Sequence, residues 1–408
     1  MSGPGAYFFG EEERKELLDV METGYLSRYG KEDDSRFKHK VVTFEKEFAK
    51  YIGTRNAIAV NGGTGALIAS LAALGIGPGD EVIVPGYTFI ASISSIIYAK
   101  AIPILAEIDE SLNIDPEDIR KKITKRTKAI MPVHMLGNLC DMDSIMEIAE
   151  EFGLSVIEDS CQALGATYKG KKVGAIGNIG AFSLNMYKTI TSGDGGVVVT
   201  DDENLYERAF GFHDQGHKPY RMGLEIGHRS LIGMNLRINE LTGAVALAQL
   251  RKADNIISIL RDKKRKLKNA ISGNKKLGFR KINDEGEIAT LLTLLFKDNK
   301  TAEKFVTELG IETLAHSGWH VYNNMEQILD KKTVTEYQCP FACEKYGQEV
   351  KYYKHMLPRT DEILERAVNI SVGVVCETLG AGFGISVLSN EKEIEQVADK
   401  INKALKVL

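Results

Sequence analysis

Lys188 stands between the short apolar run Phe182-Ser183-Leu184 and the turn Gly193-Asp194-Gly195-Gly196, which leads straight into Val197-Val198-Val199. Two strands would hold its amine on a tightly formed connection. Asp159 lies 29 positions earlier, where the apolar stretch Ser155-Val156-Ile157 emerges into Glu158-Asp159. Gly62-Gly63-Thr64-Gly65 follows another short strand and opens a helix, so its backbone can approach a phosphate closely and offer it N–H groups. A third strand ends in Pro85-Gly86-Tyr87-Thr88-Phe89 and brings an aromatic ring to the same edge. Taken singly, each has an ordinary explanation: a solvated lysine, a capping aspartate, a tight strand-to-helix turn, an aromatic of the core. Together, with Ser183 beside the lysine, they are what pyridoxal 5'-phosphate (PLP) requires. The lysine forms an imine, the carboxylate keeps the pyridine nitrogen protonated, the ring stacks on the cofactor, and the glycine turn and hydroxyl hold its phosphate. Lys188 would then move a proton as general base and acid while Asp159 stabilises the charge on the ring.

The elements around these residues alternate. Strands are expected at 56–60, 81–84, 103–107, 129–133 and 155–158, with helices at 66–74, 88–99, 116–123 and 142–152 between them. Repeated units of this kind imply an α/β fold, a mostly parallel sheet with helices on both faces, and ligands bind beyond the carboxyl ends of its strands. The glycine cluster has neither the GxGxxG spacing of a dinucleotide site nor the GK[ST] of a P-loop. Amphipathic helices are expected at 11–21 and 41–51, one long helix at 240–268, strands at 289–296 and 367–374, and helices at 301–309 and 392–405. The chain of 408 residues is too long for one ordinary core, and it divides into an N-terminal arm with helices at 1–50, a large domain at 51–250 and a smaller α+β domain at 251–408.

A formal net charge of −4 gives no electrostatic reason to expect nucleic acid or an anionic membrane as partner. No apolar run reaches membrane-spanning length and no leader pattern opens the sequence, so a cytoplasmic protein is expected. Five cysteines, thinly spread, do not form a disulfide framework. Cys339 and Cys343 have no second pair to complete a metal site, His355 being the nearest further ligand type, and no metal is expected. The run Lys263-Lys264-Arg265-Lys266-Leu267-Lys268 reads as a solvated helix face.

The sequence resembles the sugar aminotransferase family within fold type I PLP enzymes, from about Phe8 to Leu405. Five separated segments in the right order carry the likeness: 61–67, 77–85, 158–163, Phe182-Ser183 with Lys188 and the turn 193–196, and 233–240. The resemblance implies that Lys188 holds PLP, that Asp159 meets the pyridine nitrogen, and that Phe89 stacks on the ring. Gly63, Thr64 and Ser183 occupy phosphate-binding positions, and Gln162 lies near the cofactor's O3′. Asn235 corresponds to a residue that reaches the phosphate of a neighbouring subunit's PLP, which implies a homodimer with shared active sites.

Two departures bear on the site. Many members carry Phe-Ser-Phe-His-Pro where this chain has Phe182-Ser183-Leu184-Asn185-Met186, and Gly-Glu-Gly-Gly where it has Gly193-Asp194-Gly195-Gly196. Neither removes a cofactor ligand, but Asn185 and Tyr187 flank the lysine and bear on substrate choice. Polar side chains at His213, His217, Trp319 and His320 are further candidates for contact with substrate. Together these two regions look closest to the branch that includes 8-amino-3,8-dideoxy-octulosonate transaminase.

The expected reaction is a ping-pong transfer of an amino group from glutamate or glutamine to a keto or aldehyde group of a sugar-like acceptor. A PLP-dependent sugar dehydratase, in which histidine replaces the lysine, is disfavoured by Lys188. Another PLP reaction, or a non-catalytic regulator of the same fold, is the alternative. Retention of lysine, aspartate and the phosphate set argues against the regulator.

Overall fold

The computed structural model describes residues 3–408 apart from 32, 220–226, 272, 274–276, 317, 335, 337, 343–349, 374 and 378–379. Cys343, one of the cysteines weighed for a metal site, lies outside the described residues.

The central sheet has seven strands: β1 Asn56–Val60, β2 Glu81–Pro85, β3 Ile102–Ala106, β4 Thr127–Ile130 and β5 Ser155–Asp159 come first. After a small ribbon of β6 Thr167–Tyr168 and β7 Lys171–Lys172 follow β8 Ile179–Ser183 and β9 Gly196–Thr200. Their spatial order is β1-β9-β8-β5-β4-β2-β3. Strands β2, β3, β4, β5 and β8 pair in parallel, and β9 runs antiparallel to both β1 and β8. Helices cover both faces, so the strands read as continuous apolar runs: every residue of β2 is buried. The pleat sorts them. Ile83 packs with Phe48, Val156 and Phe182 on one face, while Val82 and Val84 join Ile58, Ala129 and Ile157 on the other. The helix Met142–Phe152 shows how sequence sets such elements: the Asp141 side chain accepts from Ser144 N, and Gly153 ends the helix at φ 64°.

A second sheet, antiparallel, comprises β10 Gly278–Phe279, β11 Leu291–Leu295 and β12 Ala367–Ser371. It packs with the helix Asn299–Leu309, which in turn packs on Glu391–Lys406, and the Phe296 and Phe305 rings meet at 4.9 Å. No helix among the described residues is long and apolar enough to cross a membrane.

Two expectations fail here. The helix foreseen over 240–268 is two, Glu240–Leu250 and Ala253–Ile271. No glycine or proline marks the break; tertiary contacts make it. Lys252 at the junction donates to the Phe8 carbonyl at 2.7 Å and to Glu13 Oε2 at 2.8 Å, contacts that nothing local in the sequence announces. In the basic run, Lys264 is buried against Glu287 instead of solvated, and burial lowers its pKa to about 8.

Candidate active site

The parallel strands deliver their carboxyl ends to one edge, and the chemically able residues gather there. Asp159 is the last residue of β5, is 4% exposed, and pairs in register with Ala181 of β8. Its Oδ2 accepts the Ser92 hydroxyl at 2.7 Å and its Oδ1 the Cys161 N–H at 3.2 Å. Ser92 Oγ also lies 2.7 Å from Thr88 Oγ1, and both hydroxyls are buried. An ionised carboxylate only accepts, so Ser92 spends its one proton on Asp159 and Thr88 must donate to Ser92. The chain of donors runs Thr88 to Ser92 to Asp159.

Ser183 ends β8, and across β9 from it lies the start of the helix Gly63–Ala73, whose N-cap, Gly62, makes no side-chain capping bond. The first N–H groups of such a helix have no partner inside it and favour an anion. A Cβ on Gly63 would sit 2.8 Å from Ser183 Cβ and 3.2 Å from Cys161 Sγ, so a side chain there would close the space between helix start and hydroxyl. Gly63, Thr64 and Ser183 thus line one anion-favouring corner.

Lys188 sits on the connection from β8 to β9, and that connection is internally bonded. Thr191 Oγ1 donates to the Leu184 carbonyl at 2.9 Å, Gly193 N to Thr191 Oγ1 at 2.9 Å, and Leu184 N to the Gly195 carbonyl at 2.8 Å. The lysine is half-buried, and among the described residues its amine has no hydrogen-bond or ion-pair partner. Its positive charge is felt at Cys161 and at His320. Burial, followed by the charge of Asp159, pushes the Cys161 thiol well above its usual range.

Phe89 caps the helix Ile90–Tyr98 and keeps 39% of its surface exposed, unusual for a ring so placed. The His320 ring lies 5.7 Å from it, and the His320 carbonyl accepts Thr88 N at 2.9 Å. His320 is 5% exposed, yet no described residue hydrogen-bonds its ring nitrogens. Burial, reinforced by Lys188, lowers its pKa to about 3, so the imidazole is neutral. Trp319 next to it is 62% exposed, and Tyr187 beside the lysine is also exposed.

Gln162 turns its Oε1 to the Leu136 N–H at 2.9 Å, and among the described residues nothing engages its NH₂ end. Asn235 is exposed, with its Oδ1 taken by Arg237 Nε at 2.9 Å; Arg237 in turn pairs with the buried Asp214 at 3.1 Å. His217 is half-buried in the turn after Asp214, to whose carbonyl its N–H donates.

His213 is corrected. It is fully buried, its Nδ1 is 2.6 Å from the Phe210 carbonyl and its Nε2 2.9 Å from Arg28 Nη1, so neither nitrogen is available to a substrate. Burial and the Arg28 charge hold its pKa well below the usual imidazole range. It braces Arg28, which also grips Glu45 through two contacts of 3.0 Å.

Sequence reading missed Ser92, Thr88, Cys161 and Gly196. Thr88, Cys161 and Gly196 each lie within a segment the sequence singles out, 85–89, 158–163 and 193–196, whereas Ser92 carries no such signal. Among the described residues no group of three His, Cys, Asp or Glu is gathered to hold a metal ion.

The donor set fits PLP: an unpartnered amine, an oriented buried carboxylate, an open aromatic face, an uncapped helix start beside a hydroxyl. Residues 9–375 match the DegT/DnrJ/EryC1/StrS aminotransferase family. A GDP-perosamine synthase of Caulobacter vibrioides is 44% identical over 243 residues, which is 59% of this chain and 62% of that protein. The match therefore spans somewhat less than two thirds of that relative. A dTDP-3-amino-3,6-dideoxy-alpha-D-galactopyranose transaminase of Aneurinibacillus thermoaerophilus is 36% identical over 315 residues, covering 76% of this chain and 81% of its own. The X-ray structure of the aminotransferase from Psychrobacter cryohalolentis superposes with a TM-score of 0.77 at 28% identity, covering 98% of both chains.

Proposed function

The chain belongs to the DegT/DnrJ/EryC1/StrS aminotransferase family, and we propose that it is a PLP-dependent enzyme that transfers an amino group from glutamate or glutamine to a keto or aldehyde group of a sugar-like acceptor, in two half-reactions of a ping-pong scheme. One observation carries this reading: the unpartnered Lys188 amine shares a sheet edge with a buried aspartate already oriented by a hydroxyl.

PLP, when bound, supplies an electron sink and a carrier for the amino group. Lys188 would hold it and would move the proton at the substrate carbon. Asp159, its carboxylate oriented by Ser92, would accept from the pyridine N–H. Gly63 and Thr64 donate backbone N–H groups, and Ser183 its hydroxyl, to the phosphate. Phe89 covers one ring face, and the free NH₂ of Gln162 donates toward O3′. Tyr187, His217, Trp319 and His320 border the acceptor, where a neutral His320 can give or take a hydrogen bond with a sugar hydroxyl. The exposed Asn235 amide serves the phosphate of a second copy, making a homodimer with shared sites. We place the enzyme in the cytoplasm, with no nucleic-acid or membrane partner.

The octulosonate branch would make the acceptor a free keto sugar acid. The names of the two relatives instead carry GDP- and dTDP-linked sugars, which supports a nucleotide-linked acceptor as the second reading. Multiple turnovers with glutamate or glutamine and each acceptor class test both the activity and the choice. Donor conversion without turnover on any keto sugar would sink the transaminase reading in favour of other PLP chemistry.

A further inference from the structure

Three backbone groups on the lysine connection, the Met186 carbonyl, the Lys188 carbonyl and the Thr191 N–H, are satisfied by groups outside that connection. Gly3 N donates to Met186 O at 2.7 Å and Gly5 N to Lys188 O at 3.3 Å. The approach is too close for side chains. A Cβ on Gly3 would lie 2.2 Å from the Tyr187 carbonyl carbon and 2.7 Å from Lys188 N; one on Gly5 would lie 2.7 Å from Ile190 Cα. Both glycines are therefore needed where they stand for a contact reason, whatever their conformational freedom.

Gln249 supplies the third bond and ties it to the same arm. It is wholly buried; its Oε1 accepts Thr191 N at 3.2 Å and its Nε2 donates to Glu13 Oε1 at 2.8 Å. Both ends of the amide are committed, so its orientation is not free to reverse. Glu13 is itself fully buried and also accepts Gly10 N at 2.7 Å and Lys252 Nζ at 2.8 Å. Lys252 completes the ring by donating to the Phe8 carbonyl at 2.7 Å. On its other side the arm meets the second layer: a Cβ on Gly373, just past β12, would come 3.0 Å from Pro4 Cγ.

We propose that the arm, residues 3–13, together with Gln249, positions Lys188: Gly3 and Gly5 fix the backbone at 186–188 and Gln249 fixes it at 191, so that the amine reaches the reaction centre by side-chain rotation alone. The inference rests on Lys188 being the cofactor lysine. Without the arm and Gln249 the connection keeps its internal bonds, among them Lys188 N to Asn185 O at 2.9 Å and Tyr187 N to Asn185 Oδ1 at 3.2 Å, while the Met186 and Lys188 carbonyls and the Thr191 N–H lose the partners that tie them to the rest of the fold. Misplacement of a reacting group by about 1 Å is worth on the order of a hundredfold in rate.

The test uses the full chain with Gly3→Val and, separately, Gln249→Leu, beside the parent and Lys188→Ala. Three quantities are read: thermal unfolding of the protein without PLP, PLP affinity by absorbance titration, and the single-turnover rate with glutamate or glutamine. Gly3→Val should unfold with the parent, bind PLP roughly tenfold more weakly, and react ten- to a hundredfold more slowly. Gln249→Leu should do the same, with some loss of stability. Parent-like affinity and rate in Gly3→Val would overturn the inference while leaving the cofactor reading intact. A parent that takes up PLP no better than Lys188→Ala would overturn both.

Discussion

Gly196 lies so close to Gly62 that a methyl group on it would fall 2.4 Å from the Gly62 carbonyl oxygen and 2.9 Å from Gly63 N. As the first residue of β9 it pairs with Val60 of β1 on one side and Ser183 of β8 on the other. Its bare backbone lets the start of the Gly63–Ala73 helix rest against Ser183, and the anion-favouring corner proposed to hold the cofactor phosphate exists because of it.

Gly196→Ala should therefore push the helix start away from Ser183. The expected outcome is PLP binding weakened about tenfold or more, with overpacking costing roughly 1–3 kcal/mol of stability. Absorbance titration and chemical denaturation measure the two separately. Unchanged PLP affinity would show that the corner does not hold the phosphate.

Ser92 orients Asp159 through a hydrogen bond to a charged group, a class worth about 1.5–3 kcal/mol. Ser92→Ala should weaken PLP binding by roughly tenfold or more and slow both half-reactions. Ser92→Thr keeps the hydroxyl and should recover most of the loss. If alanine and threonine variants bind PLP alike, the hydroxyl is not what prepares the carboxylate.

The buried imidazole of His320 has no hydrogen-bond partner among the described residues, and the proposed function sets it beside the acceptor. His320→Ala should lower kcat/KM for the keto acceptor by at least about tenfold while changing the donor half-reaction much less. Trp319→Ala should chiefly raise the acceptor KM. Equal loss in both half-reactions would move His320 from the acceptor to the cofactor, and a fully active Trp319→Ala would remove that residue from the site.

Some of this was readable in the chain and some was not, for physical reasons. Lys188 and Asp159 stood out because each sits where an apolar strand breaks into polar residues, and the strand alternation that implied a parallel sheet also said which edge to inspect. The buried run 81–84 reads as a strand with no context at all. Ser92 was invisible, since a serine in an apolar helix has no meaning until the fold brings β5 beside it. His213 misled because its loop is polar in sequence, whereas the residue that claims it, Arg28, comes from a segment 185 positions away. The helix break at Arg251–Lys252 has the same origin, a lysine drawn off by Phe8 and Glu13.

His213 and His320 also set a dependence on pH. Both have folded-state pKa values below that of a free imidazole, His320 at about 3. The unfolded chain then binds more protons than the folded one as pH falls below about 6.5, so stability drops by up to about 1.4 kcal/mol per pH unit for each histidine. Denaturant midpoints at pH 7 and pH 5 should show this loss, and His320→Asn should make the slope shallower. A slope unchanged by that substitution would mean His320 is not held neutral by the fold.

The central claim, that Lys188 and its surroundings make a transaminating PLP site, is tested most directly by absorbance of the purified protein with PLP, before and after glutamate and glutamine, with Lys188→Ala alongside. The parent should show a lysine-bound PLP band that bleaches with one of the donors, and the variant should show neither the band nor the bleaching. A parent spectrum identical to that of Lys188→Ala would contradict the claim, and a band inert to both donors would leave the cofactor in place but not the reaction.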